Sequence, residues 1–276
     1  MENHDILEKI CEQYQLGELI CEPVRLKGGF MHKMFSLFTS KGKYAVKLLN
    51  PYIMERKDAL GNFQIAEELE LMLEKNNIPI ILALIFGGKK MQNISGQFFY
   101  LYEWFDGKAM KNEEINEFHC QKIGKLLAQI HEVDRKETEY NSNEMNVDWD
   151  YYIKMLESKN KELFYLLKEN RTLLYESQAN GNMAIKKLPS VLSVCHNDMD
   201  SKNVLWSGMD CKIIDLECLS YSNLLMEMYE LALCWSGYEK CKIDYNLFSA
   251  FIHSYAEAGG QLHGDWETVY YSNYGR

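Results

Sequence analysis

Cys195-His-Asn-Asp-Met-Asp-Ser-Lys-Asn-Val-Leu-Trp206, followed by Lys212-Ile-Ile-Asp-Leu-Glu217, is the stretch on which the fold turns. It sets His196, Asp198 and Asn203 in an HxDxxxxN spacing, with Asp215 twelve positions beyond Asn203. Apolar, partly β-branched residues flank the polar loop: Val191 to Cys195 before it and Val204 to Trp206 after it. Short buried strands are predicted on both sides, and a third over Lys212 to Ile214 that ends on the Asp215 carboxylate. This order of groups suits phosphoryl transfer from a nucleoside triphosphate. One carboxylate takes a proton from a hydroxyl, while an Asn and a second Asp hold Mg²⁺ against the phosphates. A triphosphate is too anionic to be attacked unless cations and acceptor are positioned beforehand. The plainer reading makes Asp198 and Asp215 turn residues and His196 a loop histidine. It must then account for four polar residues in this order between apolar strands.

Upstream, the chain opens with an amphipathic helix that places Ile6, Leu7, Ile10 and Cys11 on one face. Residues 22–50 predict three strands: Pro23 to Leu26, Lys33 to Thr39, and Tyr44 to Leu49, with a turn at Lys41-Gly-Lys43. Alternation along the third strand puts Lys47 opposite Val46 and Leu48, facing a cleft, where a carboxylate can fix it against α- and β-phosphates. The helix predicted over 58–76 supplies that carboxylate. Glu68 shares a stripe with Ile65, Leu69 and Met72, so it is expected to face inward, with Glu67 the alternative. Gly28-Gly29, between the first two strands, suits a loop whose backbone N–H groups approach phosphate oxygens, and equally a simple hairpin turn. Ile78 to Phe86 and Gln97 to Tyr102 predict two more strands. The second runs into Glu103-Trp-Phe105, whose backbone suits the edge of a purine. From Asn112 onward the pattern is helical apart from the motif strands. The plan is a small β-rich lobe, residues 1–103, and a larger helical lobe, residues 104–276, with the joint near Glu103 to Gly107.

Together these segments resemble the aminoglycoside phosphotransferase and choline kinase superfamily, whose fold is like that of protein kinases. The resemblance spans nearly the whole chain: the two-glycine loop, Tyr44-Ala-Val-Lys47, Leu101-Tyr-Glu-Trp-Phe-Asp-Gly107, Ile123-Gly-Lys-Leu-Leu-Ala-Gln-Ile-His131, Cys195-His-Asn-Asp198 and Ile213-Ile-Asp215. It implies an α+β, bilobal, protein-kinase-like fold. It also implies Asp198 as catalytic base, Asn203 and Asp215 as Mg²⁺ ligands, Lys47 as the phosphate-binding lysine with Glu68 its partner, and His196 as a brace of the loop. Asn197 stands where many aminoglycoside enzymes have Gly, as in choline-kinase-like members, and Leu216-Glu217 follows the second Asp in place of Phe-Gly.

Composition narrows the partners. The 276 residues carry a net charge of −10, distributed unevenly. Residues 1–105 hold 13 Asp+Glu against 12 Lys+Arg, and residues 106–276 hold 27 against 18. Such acidity argues against a nucleic-acid partner and suits a cationic ligand on the second half, or equally a surface charged only for solubility. The segment from Asp198 to Glu239 has 8 acidic residues against two lysines, with Tyr221, Tyr229, Trp235 and Tyr238 interleaved. Carboxylates and aromatics suit a polyamine sugar or a quaternary amine. Asp200, Glu217, Glu227, Glu230 and Trp235 are the acceptor-site candidates, while helical spacing equally suits Leu231, Ala232 and Trp235 as core with Glu227 and Glu230 on a solvated face. Asp148-Trp-Asp-Tyr-Tyr152 is a second candidate wall. The N-terminus lacks the apolar core of a signal peptide, no apolar run reaches membrane-spanning length, and eight Cys without a CxxC pair suit reduced thiols in a cytoplasm. No obligate protein partner is evident. The expected activity is ATP- or GTP-dependent, Mg-assisted phosphorylation of a hydroxyl on a small molecule, with an aminoglycoside-type antibiotic first among acceptors. A choline, amino-alcohol or sugar kinase is the alternative, and a catalytically idle nucleotide-binding protein the third.

Overall fold

The computed structural model describes residues 2–26, 31–137, 144–238 and 241–273. Its chain forms two compact units. The first comprises residues 1–114 and 198–220, and the second residues 115–197 and 221–276.

The first unit opens with α1 (Glu2–Gln13). A five-stranded antiparallel sheet then forms from β1 (Val24–Arg25), β2 (Lys33–Thr39), β3 (Gly42–Leu48), β4 (Gln92–Ile94) and β5 (Gln97–Glu103), in the order β1-β2-β3-β5-β4. Between β3 and β4 lie the single turn α2 (Pro51–Met54) and the long helix α3 (Ala59–Lys75). Alternation assigns each sheet face its work. Phe35, Leu37, Val46, Leu48, Phe99 and Leu101 pack with Leu7 and Ile10 of α1, and burying each such side chain contributes roughly 1.5–3 kcal/mol. The other face carries Lys47 opposite Tyr100 in register, and Tyr100 packs with Phe63 of α3.

The predicted strand over Ile78 to Phe86 does not form. This segment has only isolated bridges, Ile80 to Ile213 and Phe86 to Lys89. Pro79 has no N–H to give a ladder, and the stretch hydrogen-bonds to the motif strand instead. The Ile213 N–H donates to the Pro79 carbonyl at 2.8 Å, and the Ile81 N–H to the Ile213 carbonyl at 2.9 Å. The fifth strand of the sheet is β4, which the sequence reading did not anticipate.

The short strand β6 (Lys108–Ala109) pairs with β9 (Val204–Ser207), which pairs in turn with β10 (Asp210–Ile213). The polar loop runs between β8 (Val191–Cys195) and β9, as expected, and β10 leads into Asp215; β9 and β10 belong to the first unit.

The second unit is mainly helical. It contains α4 (Glu117–Glu132), β7 (Arg135–Glu137), α5 (Trp149–Leu156), α6 (Lys161–Glu169), α7 (Arg171–Ile185) and β8 (Val191–Cys195). After β11 (Ser220–Asn223) come α8 (Leu224–Trp235), α9 (Tyr245–Glu257) and α10 (Trp266–Ser272). Asn116 and His119 form a reciprocal capping box at the start of α4, satisfying N–H groups that a helix leaves orphaned. α4 lies very close to α9 at Gly124, where an added Cβ would stand 2.4 Å from the Phe251 carbonyl oxygen. Among the described residues no helix is long and apolar enough to cross a membrane.

Candidate active site

Lys47 is fixed first by its strand. Its neighbours Val46 and Leu48 enter the α1-side core, so its side chain leaves by the other face, where it is only 6% exposed. There the ammonium is ion-paired with both Asp215 and Glu217. Burial pulls the Lys47 ammonium down, but the charges of Asp215 and Glu217 outweigh it and hold the group above its ordinary value. Glu217 has a second anchor. His32 Nε2 lies 3.1 Å from its other oxygen, and His32 Nδ1 accepts the Asn50 N–H at 2.9 Å. An accepting Nδ1 leaves the proton on Nε2, so this imidazole donates to Glu217. Burial raises the Glu217 carboxyl, yet the His32 hydrogen bond and the Lys47 charge bring it below the usual carboxylate range.

Asp215 holds its position by an uncommon backbone, φ 63° and ψ 51°, at the head of the 3₁₀ turn Leu216–Cys218. Left-handed geometry is unfavourable for most side chains and least so for Asn and Asp. Asn197 also has φ 63°. A residue at that position must tolerate positive φ, which explains why Asn serves between the motif His and Asp where Gly would also fit.

The motif loop closes on Asp198. Asn203 Nδ2 donates to the Asp198 carbonyl at 2.7 Å and to its Oδ2 at 2.9 Å. Asp200 caps the 3₁₀ turn Ser201–Asn203 by accepting the Lys202 N–H at 3.0 Å. The Lys202 ammonium bridges Asp198 Oδ1 at 3.0 Å and Asp200 Oδ2 at 2.6 Å. The Ile214 N–H donates to the Asn203 carbonyl at 3.0 Å, tying this loop to the strand that delivers Asp215. Lys47, Asp198, Asn203, Asp215 and Glu217 all lie within the first compact unit.

A family model described as the phosphotransferase enzyme family matches residues 24–270. The chain belongs to that family. It is a small-molecule phosphotransferase of the aminoglycoside phosphotransferase and choline kinase superfamily. Its α+β, kinase-like fold recurs in solved structures of low identity. A spectinomycin phosphotransferase in complex with ADP and spectinomycin is 15% identical, with TM-score 0.62, covering 97% of this chain and 93% of that one. An amicoumacin kinase is 13% identical, with TM-score 0.65, covering 95% and 82%. A choline/ethanolamine kinase family protein from Mesorhizobium loti is 17% identical, with TM-score 0.61, covering 95% and 78%. No curated protein matches the chain significantly.

Within this phosphotransferase, several expected positions need correction. Glu68 is exposed and does not pair with Lys47. The buried stripe of α3 is Ala59, Phe63, Ala66, Leu69 and Leu73, while Ile65 is 48% exposed, so the helix is rotated from the expected phase. Glu67 accepts from the Tyr100 hydroxyl at 2.8 Å, and Glu70 forms a buried pair with Lys90. Glu227 and Trp235 are 2% and 1% exposed, inside the second unit, and so are not an acceptor-facing wall. Glu227 instead accepts the Asn197 N–H at 2.5 Å and pairs with His131 Nε2 at 2.8 Å, while His131 Nδ1 meets the Tyr255 hydroxyl at 2.8 Å. Glu230 is half-buried on the same helix. Glu103 is the exposed last residue of β5, and the half-buried Phe105 ring lies 5.5 Å from the Lys212 ammonium. Gly28 and Gly29 lie outside the described residues.

Two buried, paired histidines were not among the sequence-predicted site residues. His32 carries no local signal because Glu217 is 185 positions away. His131 was visible as the end of the Leu-Ala-Gln-Ile-His motif, but without its partner Glu227.

Proposed function

We propose that the chain transfers the γ-phosphoryl group of ATP or GTP in line to a hydroxyl of a small molecule, with an aminoglycoside-type antibiotic as the leading acceptor class. The observation that carries this reading is that one compact unit gathers a buried lysine, an Asn-held carboxylate and a second aspartate in αL geometry. Asp198 orients the hydroxyl and takes its proton, and Asn203 keeps that carboxylate in place. Lys47 neutralises phosphate charge, and Glu217 with His32 sets where its ammonium stands. The donor set of Asp215 carboxylate and Asn203 amide oxygen is hard and oxygen-only, which fits Mg²⁺. Bound there, the ion would offset charge on the phosphates. In this reading residues 1–103 serve the nucleotide, and residues 104–276 serve the acceptor and the chemistry.

The antibiotic reading draws support from fold relatives solved as a spectinomycin phosphotransferase and an amicoumacin kinase. The acidity of residues 106–276 suits an acceptor bearing amines. A second reading, an amino-alcohol kinase, is favoured by Asn197 and Glu217 flanking the two aspartates, and by the choline/ethanolamine kinase relative. Its compartment is proposed as the cytoplasm, where free thiols such as its eight cysteines persist.

The test is nucleotide consumption with ATP and GTP across aminoglycosides, macrolides, choline and simple sugars, for the wild type and Asp198→Asn. One acceptor class should stimulate turnover, and Asp198→Asn should reduce kcat by about 10²–10⁴-fold. Undiminished turnover in Asp198→Asn would overturn the base assignment.

A further inference from the structure

Lys202 is the one cation the motif loop itself supplies, and its 48% exposed side chain makes two ion pairs within that loop. A solvated Lys–Asp pair at i,i+4 by itself contributes little and leaves a mobile stem. Here the ammonium is held from two sides, 3.0 Å from Asp198 Oδ1 and 2.6 Å from Asp200 Oδ2. Asp200 is itself immobilised as the cap of the turn that carries Lys202. Asn203 holds the other oxygen of Asp198, so the two carboxylate oxygens face different groups: an amide on Oδ2 and an ammonium on Oδ1.

Resting on the phosphotransfer reading above, we propose that Lys202 is a catalytic residue that stabilises the transferring phosphoryl group from the side of the acceptor. A carboxylate oxygen accepts more than one hydrogen bond, so a hydroxyl on Asp198 Oδ1 stands beside the Lys202 ammonium. In-line transfer places phosphorus just beyond that hydroxyl oxygen, and charge in the transition state spreads over the three equatorial phosphoryl oxygens. A cation 3 Å from the base oxygen is then within reach of one of them. The acceptor oxygen–phosphorus bond forms, and the bond from phosphorus to the β,γ-bridging oxygen breaks. The electron pair leaves with the nucleoside diphosphate. The hydroxyl proton passes to Asp198, and Lys202 keeps its own. Asp200 is a positioning residue that retains the ammonium as charge on Asp198 falls. Lys47, on β3, is left to the phosphates that stay with the nucleotide. Two lysines thus divide the triphosphate between them.

The experiment compares Lys202→Met, Lys202→Arg and Asp200→Asn with the wild type and Asp198→Asn. Turnover of MgATP is measured with an acceptor and, where none is accepted, as slow transfer to water. MgADP affinity is measured by calorimetry, and folding by thermal melting. ADP lacks the γ-phosphoryl group, so a cation acting there should not affect it. The expected result for Lys202→Met is a loss of about 10²-fold in kcat, with ADP affinity and melting temperature unchanged. Lys202→Arg should recover about tenfold of that loss, because it restores the charge, and Asp200→Asn should fall in between. Lys202→Met with kcat within about threefold of wild type would overturn the proposal. A parallel loss of ADP affinity and melting temperature would also overturn it, since Lys202 would then only brace the loop. If Asp198→Asn also keeps its turnover, the phosphotransfer reading itself falls. If Asp198→Asn is inactive while Lys202→Met is not, only Lys202 loses its role.

Discussion

Replacing Glu227 tests whether the second unit depends on its buried polar cluster. The carboxylate is 2% exposed and makes two strong interactions, with His131 Nε2 at 2.8 Å and the Asn197 N–H at 2.5 Å. Tyr255, Cys195 and His196 are the other titratable groups around it. Breaking a buried pair costs about 3–5 kcal/mol, and an orphaned buried N–H about 1–3 kcal/mol. One carboxylate serves both partners, so the losses overlap, and about 4 kcal/mol is expected for Glu227→Ala. At roughly 2–4 °C per kcal/mol for a chain of this size, the melt followed by circular dichroism should fall by about 8–16 °C. Acid supplies a second readout. Burial raises the Glu227 carboxyl, but the His131 bond and charge, then the Asn197 N–H, bring it below its ordinary 4.5. Its folded value is therefore below its unfolded one. The associated stability is present above about pH 4.5 and is lost as pH falls through the folded value, at about 1.4 kcal/mol per pH unit within that window. Glu227→Gln should lack this slope when urea midpoints are compared at successive acid pH values. A Glu227→Ala protein within about 1 kcal/mol of wild type, or an unchanged acid slope in Glu227→Gln, would refute the reasoning.

Two further substitutions probe the site and the packing. Glu68→Ala should leave kcat and nucleotide KM within about twofold of wild type, because an exposed position contributes roughly ±0.5 kcal/mol. A large loss there would mean that Lys47 answers to α3 during turnover and not to Asp215 and Glu217. Gly124→Ala places a Cβ 2.4 Å from the Phe251 carbonyl oxygen and 2.6 Å from Ser254 Oγ, so α4 and α9 must part. A loss of about 1–3 kcal/mol is expected from such overpacking, read as a lower melting temperature, and an unchanged melt would contradict that close approach.

What the sequence makes legible is local. Strand alternation placed β2 and the outlook of Lys47 because a period of two leaves one choice of face. The 3.6 period is less decisive in α3. Ile65, Leu69 and Met72 make one stripe, and Phe63, Ala66, Leu69 and Leu73 make another that shares Leu69. Small Ala66 hides the second, and Phe63, packed beside Tyr100, decides it through a contact from another part of the chain. The choice among carboxylates for Lys47 is likewise non-local, since Asp215 and Glu217 lie 168 and 170 positions away.

The same distinction bears on the acceptor. By composition the stretch from Asp198 to Glu239, with 8 acidic residues, suits a polyamine sugar or a quaternary amine. In the fold, five of these pair with the chain's own donors: Asp198 and Asp200 with Lys202, Asp215 and Glu217 with Lys47, and Glu227 with His131. Composition counts a charge the same whether it meets solvent or an internal cation, but only the former attracts a ligand from solution. The acidity of this stretch is therefore mostly paired internally. Any preference for a cationic acceptor must come from the remaining acidic groups of residues 106–276. That separates the groups able to attract a cationic acceptor from those already paired within the chain.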